Sequence, residues 1–125
     1  MAGSVLIRNG LLVTQDPGRR VFKGDVLIEG DRISEVGRVR GGADQVIDAH
    51  GTPVMPGLIN THAHVAMTVM KGMADDLPFS DFLNRVFAID SDRTDEDLLA
   101  GSRLGCLEMV LGGTTTFVDL YYAQD

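Results

Sequence analysis

The chain has 125 residues, enough for one modest domain, and a formal net charge of −7 with no cluster of Lys or Arg. That balance excludes a surface built for nucleic acid or for an anionic membrane. Its apolar (44%) and charged (23%) fractions are those of an ordinary soluble globular protein. Residues 1–15 lack the layout of a secretory leader, and no apolar run approaches the roughly 20 residues that span a bilayer. A single cysteine, Cys106, has no partner for an internal disulfide. A cytoplasmic protein is the expectation.

Residues 4–46 are β-prone and cut by turns. Residues 5–8 and 11–13 flank Asn9-Gly10, a dipeptide suited to a tight hairpin turn or a bulge. Asp16-Pro17-Gly18 is a second turn signal. Gly30-Asp31 joins residues 26–29 to 32–36 as a hairpin, Gly41-Gly42 marks a loop, and residues 46–48 form a last short strand. One or two small sheets are expected, with nothing converging on chemistry. His50, in Ala49-His50-Gly51, is expected to be an exposed turn residue.

From Val54 the pattern changes. Val54-Met55-Pro56-Gly57-Leu58-Ile59-Asn60-Thr61-His62-Ala63-His64 reads as a buried strand whose last residues are polar. Side chains at i and i+2 of a strand share a face. His62 and His64 therefore point the same way above Leu58 and Asn60, while Ile59, Thr61, Ala63 and Val65 face oppositely. Two such imidazoles can hold a Zn²⁺-like ion with nitrogens about 2.0–2.1 Å away. The alternative is one core histidine and one facing solvent.

A polar, Gly- and Met-containing loop is expected over residues 67–77. Phe79, Phe82, Leu83, Val86 and Phe87 then form one apolar stripe and predict a helix over 79–88. Thr94-Asp95-Glu96-Asp97 resembles a capping box, with Asp in place of the usual Glu or Gln. It opens a second amphipathic helix through Leu98, Leu99, Leu104, Leu107, Val110 and Leu111, stopped by Gly112-Gly113. Cys106 lies beside that face as an inert core residue. Residues 114–122 are strongly β-prone. The order strand, loop, helix, helix, strand is one β/α unit with its next strand.

Pro56-Gly57-Leu58-Ile59-Asn60-Thr61-His62-Ala63-His64 resembles the metal-binding signature of the amidohydrolase superfamily. Ala66-Met67-Thr68, Gly72-Met73-Ala74-Asp75-Asp76-Leu77 and Gly113-Thr114-Thr115-Thr116-Phe117-Val118-Asp119 are similar to its branch of S-adenosylhomocysteine/methylthioadenosine deaminases and chlorohydrolases. The resemblance implies an α/β fold in two parts. Residues 1–54 would be the N-terminal part of a small β-sandwich. Residues 55–125 would start a (β/α)₈ (TIM) barrel: strand 1, its helices and strand 2, with the metal at the C-terminal strand ends.

On this match His62 and His64 are ligands of one divalent metal ion, Zn²⁺ ahead of Fe²⁺. The remaining ligands and the proton-transfer groups sit on later strands, so no catalytic residue falls within this chain. A metal-activated water would attack an amidine-like ring carbon of a purine nucleoside-like or related heterocycle and release ammonia; chloride is the alternative leaving group. Asn60 stands where two-metal members carry Asp, which favours the one-metal branch. Asn60 and Asp119 would support the ligand histidines, a plain strand-end hydrogen bond being equally open for Asp119. Asp90 replaces a Glu that grips ribose hydroxyls as a substrate-binding residue, one methylene shorter. Phe82 replaces a Trp, and Lys71 replaces an Arg, keeping charge but not the planar fork.

A full barrel takes about 250 residues. The resemblance therefore implies an N-terminal segment, inactive alone, whose substrate is a small heterocycle and not nucleic acid or membrane. Its open edge implies a homo-oligomer or a complementary half-barrel chain as partner.

Overall fold

β1 (Ser4–Val13) is the strand around which the first unit is laid down. In the computed structural model, which describes residues 3–121, it pairs antiparallel with β2 (Val21–Glu29) and parallel with both β4 (Gln45–Asp48) and β5 (Pro53–Val54). β3 (Arg32–Gly37) extends the sheet beyond β2, giving five strands. Asn9-Gly10 makes a bulge inside β1, not a hairpin turn: the register to β2 shifts between Ile7 and Gly10, and Asn9 has φ 62°. The bulge is held from both sides. The Asn9 amide donates to Asp25 Oδ1 (3.0 Å), and its side-chain amide donates to Asp48 Oδ1 (3.0 Å). Gly10 leaves room for β5, since a Cβ there would come within 2.5 Å of Val54 Cγ2. Gly30, at φ 63°, closes the β2–β3 hairpin with Glu29 opposite Arg32. Leu6 and Leu12 are fully buried, and His50 is exposed.

Contacts divide the chain into two units, Met1–Pro56 and Gly57–Asp125. The stretch read as one strand from Val54 onward thus serves two sheets, with Met55-Pro56-Gly57 between them. β6 (Leu58–Ala63) runs parallel to β7 (Thr114–Asp119), with Asn60 opposite Phe117 and Ala63 opposite Asp119. Parallel strands need a long crossover. Here it consists of a 3₁₀ helix (Val65–Met70), α1 (Phe79–Ser91) and α2 (Asp95–Leu111).

Several local expectations change. Strand β6 ends at Ala63, so Val65 is not on its back face; it is buried with Ala66 and Met70 in the 3₁₀ helix, where part of the expected loop was placed. β6 itself is not a buried strand: Leu58 is 49% and Ile59 66% exposed, because a two-stranded parallel sheet has no layer on its far side among the described residues. The capping box is present, Thr94 Oγ1 accepting from the Asp97 amide (3.3 Å) and Asp97 Oδ2 accepting from the Thr94 amide (2.9 Å). The Thr94 amide, and after it the Thr94 hydroxyl, donate to the Asp97 carboxylate and hold its pKa below the usual value.

The inner face of α2 is made of glycine, not leucine. Gly101 and Gly105 lie buried against the 3₁₀ helix, where a Cβ on Gly101 would meet the Ala66 carbonyl oxygen at 2.2 Å and one on Gly105 would meet Thr68 Oγ1 at 2.6 Å. Leu107, Val110 and Leu111 of the expected stripe are 56%, 68% and 79% exposed. No described helix is long and apolar enough to cross a membrane.

Candidate metal centre

His62 and His64 stand at the C-terminal end of β6, and their rings are turned to each other. The centroids are 5.0 Å apart at an interplanar angle of 89°, and the two Nε2 atoms approach to 3.2 Å. Two nitrogens bound at about 2.05 Å to one tetrahedral ion stand about 3.3 Å apart. The observed separation is close to that value, and it is also the distance of a hydrogen bond between the two rings.

The protonation pattern suits the same use. His64 Nδ1 lies 2.6 Å from the Leu120 carbonyl oxygen. A carbonyl only accepts, so Nδ1 carries the proton and Nε2 keeps its lone pair. A donated Nδ1–H to a carbonyl is the usual support of a metal-binding imidazole. The donor set fits a divalent ion of zinc's ligand preference with two of its positions left for other groups. Among the described residues no group of three or more His, Cys, Asp or Glu side chains is placed to hold an ion.

The neighbouring residues divide into those that shape this end of β6 and those that lie apart. Asn60 Oδ1 accepts from the His62 amide (3.1 Å), which ties the side chain two residues back to the backbone carrying the first ring. Asp119 Oδ1 accepts from the Val65 amide (3.0 Å), fixing the turn out of β6 and not an imidazole. Lys71 extends to the Glu108 carboxylate on α2, an exposed ion pair. Phe82 and Asp90 line a cavity of about 280 Å³ beside His64, together with Met67, Val86 and Tyr121.

Asp90 is buried at the end of α1 and pairs with Arg93; the two side chains are 4% and 6% exposed. The Tyr121 hydroxyl donates to Asp90 Oδ1 and accepts from Arg93. Sequence reasoning missed three participants: the Leu120 carbonyl, Tyr121 and Arg93. The i,i+3 spacing of Asp90 and Arg93 was a usable signal for the ion pair. A backbone carbonyl leaves none.

The amidohydrolase family model matches residues 54–125. The chain is 44% identical over 124 residues to a 5′-deoxyadenosine deaminase of Methanosarcina mazei, covering 97% of this chain and 29% of that protein. It is equally 44% identical to a 5-methylthioadenosine/S-adenosylhomocysteine deaminase of Thermococcus onnurineus, covering 98% of this chain and 29% of the relative. Among solved structures, atrazine chlorohydrolase TrzN from Arthrobacter aurescens TC1 complexed with zinc matches with a TM-score of 0.82 at 28% identity, covering 92% of this chain and 28% of that one. The chain thus spans less than a third of the length of these relatives. The family model covers more than half of it, including both histidines. This chain belongs to the amidohydrolase family.

Proposed function

We propose that the chain supplies the opening, metal-binding strand of a metal-dependent amidohydrolase that deaminates a purine nucleoside or a related heterocycle. The observation that carries this is the pair of Nε2 atoms 3.2 Å apart. Support comes from the Leu120 bond that leaves one of them unprotonated and from relatives named as adenosine-type deaminases.

In this reading His62 and His64 hold one divalent ion, zinc before iron, and residues outside this chain complete its ligands. When bound, such an ion supplies Lewis acidity and makes water nucleophilic near neutral pH. The chain's own part is to hold the two imidazoles, through Asn60 at His62 and Leu120 at His64, and to wall one side of the substrate space. Asp90 sits in that wall. A substrate hydroxyl reaching it would share the carboxylate with Arg93 and Tyr121.

Residues 1–54 are read as part of a β-sandwich and 55–125 as the start of a TIM barrel, completed by further chain, by a complementary half-barrel or by association of copies. The likeness to a zinc-bound chlorohydrolase favours a second reading, hydrolytic loss of chloride from a heteroaromatic ring by the same centre. A substrate panel of 5′-deoxyadenosine and a chlorotriazine separates the two once the barrel is complete.

The test is zinc affinity of the chain, measured by chelator competition. His62→Ala and His64→Ala should each weaken binding by at least about tenfold, the scale on which even outer partners of a metal site act. Wild-type affinity in both variants rejects the reading. The 125-residue chain alone is expected to release no ammonia from 5′-deoxyadenosine.

A further inference from the structure

The buried cluster behind His64 has more bonds than a helix end requires. Arg93 donates from Nη1 to the Ala66 carbonyl (2.6 Å) and from Nη2 to Asp90 and Tyr121. Its guanidinium carbon lies 5.5 Å from the centre of the Tyr121 ring. Four segments meet there: the 3₁₀ helix, the end of α1, the turn into α2 and the chain leaving β7. A simple reading is that the ion pair knits these segments together.

The position of Tyr121 in sequence points further. It directly follows Leu120, whose peptide groups are both used at the end of β6: the Leu120 amide donates to the Ala63 carbonyl (2.9 Å), and the Leu120 carbonyl accepts from His64 Nδ1 (2.6 Å). The Leu120 side chain is 54% exposed, so the residue is held through its amide bond to Ala63 and through its neighbours in the chain. Its carbonyl belongs to the peptide unit shared with Tyr121, whose hydroxyl is bonded to Asp90 and Arg93 on the far side. A neutral imidazole can carry its proton on either nitrogen, and for His64 that choice follows the carbonyl.

We propose that Tyr121 is a positioning residue for the metal centre: its hydroxyl, clamped by Asp90 and Arg93, sets the Leu120 carbonyl that keeps the His64 proton on Nδ1 and Nε2 open to a metal. The inference rests on reading His62 and His64 as ligands. It adds a structural reason for a buried carboxylate at position 90, distinct from a grip on substrate.

The experiment uses the full chain and two readouts. Nitrogen NMR of the imidazole rings gives the tautomer of His64, with His50 of the first unit as internal reference, and chelator competition gives zinc affinity. Tyr121→Phe keeps the ring under the guanidinium but removes the hydroxyl's bonds to Asp90 and Arg93. It should shift His64 from the Nδ1–H form toward a mixture and weaken zinc about tenfold. Thr94→Ala lowers stability through the α2 cap alone and should leave the tautomer unchanged.

If Tyr121→Phe does not fold, Asp90→Asn is read in the same way, since it removes the charge from the clamp and leaves the hydroxyl an acceptor. A folded variant with His64 still Nδ1-protonated and zinc affinity within about twofold of wild type overturns the proposal. A tautomer shift in a protein that binds no zinc even as wild type supports the clamp and rejects the metal reading, so the two fail separately.

Discussion

Burial and the hydrogen bond given to Asp90 push the Tyr121 phenol from 10.0 up to about 12, against the opposing charge of Arg93. A folded-state value above the unfolded one means the neutral phenol stabilises the fold fully below about pH 10, and that this contribution is lost as pH rises toward 12. The expected outcome is a late step in phenolate absorbance that disappears in Tyr121→Phe, together with a wild-type urea midpoint that falls over the same window. A late step that survives the substitution contradicts this account. At this scale the sequence was informative where side chains repeat with strand period. His62 lies in β6 and His64 one residue past its end, and their ring nitrogens still meet 3.2 Å apart, so the i, i+2 spacing was a usable signal even though the strand stops between them. Nothing comparable announces the Leu120 carbonyl, because a main-chain group is common to every residue and only tertiary structure selects one. Asp119 illustrates the middle ground. A carboxylate at a strand end was expected to find a partner there, and which one depended on a turn at Val65 that composition does not encode.

The helices show the same division between boundary and face. The start of α2 was legible because Thr94 and Asp97 satisfy each other's backbone amides locally, without help from the rest of the fold. Which side of α2 turns inward was not. Leucine content suggested one stripe, whereas the 3₁₀ helix approaches so closely that only residues without a side chain fit, and Leu99, Leu104, Leu107 and Leu111 are left outside. Substituting Gly101 by Ala puts this to a quantitative test. Helix propensity alone favours Ala by about 1 kcal/mol, yet the added methyl meets the Ala66 backbone, a contact no rotamer change relieves. Net destabilisation of about 1–3 kcal/mol is expected from overpacking. Gly42→Ala, where a Cβ meets nothing within 4 Å, should stay within about 0.5 kcal/mol. Equal urea midpoints for the two variants would remove the close approach from the explanation of α2.

Across the whole molecule, many large apolar side chains lie exposed among the described residues. Leu107, Val110 and Leu111 on α2 and Ile59 on β6 are all more than half exposed, and the β6–β7 pair offers hydrogen-bonding edges to further strands. Such a surface is expected to drive association of the isolated chain. Sedimentation velocity should show mass rising with concentration, and Leu107→Lys with Val110→Lys should reduce it while circular dichroism stays unchanged. A monomer at every concentration tested would mean that these faces need no cover. The β/α order of the second unit was legible from element spacing, and the bulged five-stranded sheet of the first only in outline, since a bulge and a hairpin turn share the same Asn-Gly signal.

The bond from His64 to Leu120 joins residues 56 positions apart. Contacts of that separation form late, after local helices, because closure of the intervening loop must come first. On the ribosome the two imidazoles emerge long before the peptide group that directs one of them has been synthesised. On the proposed reading, the geometry of the centre is therefore complete only after this long-range contact has closed.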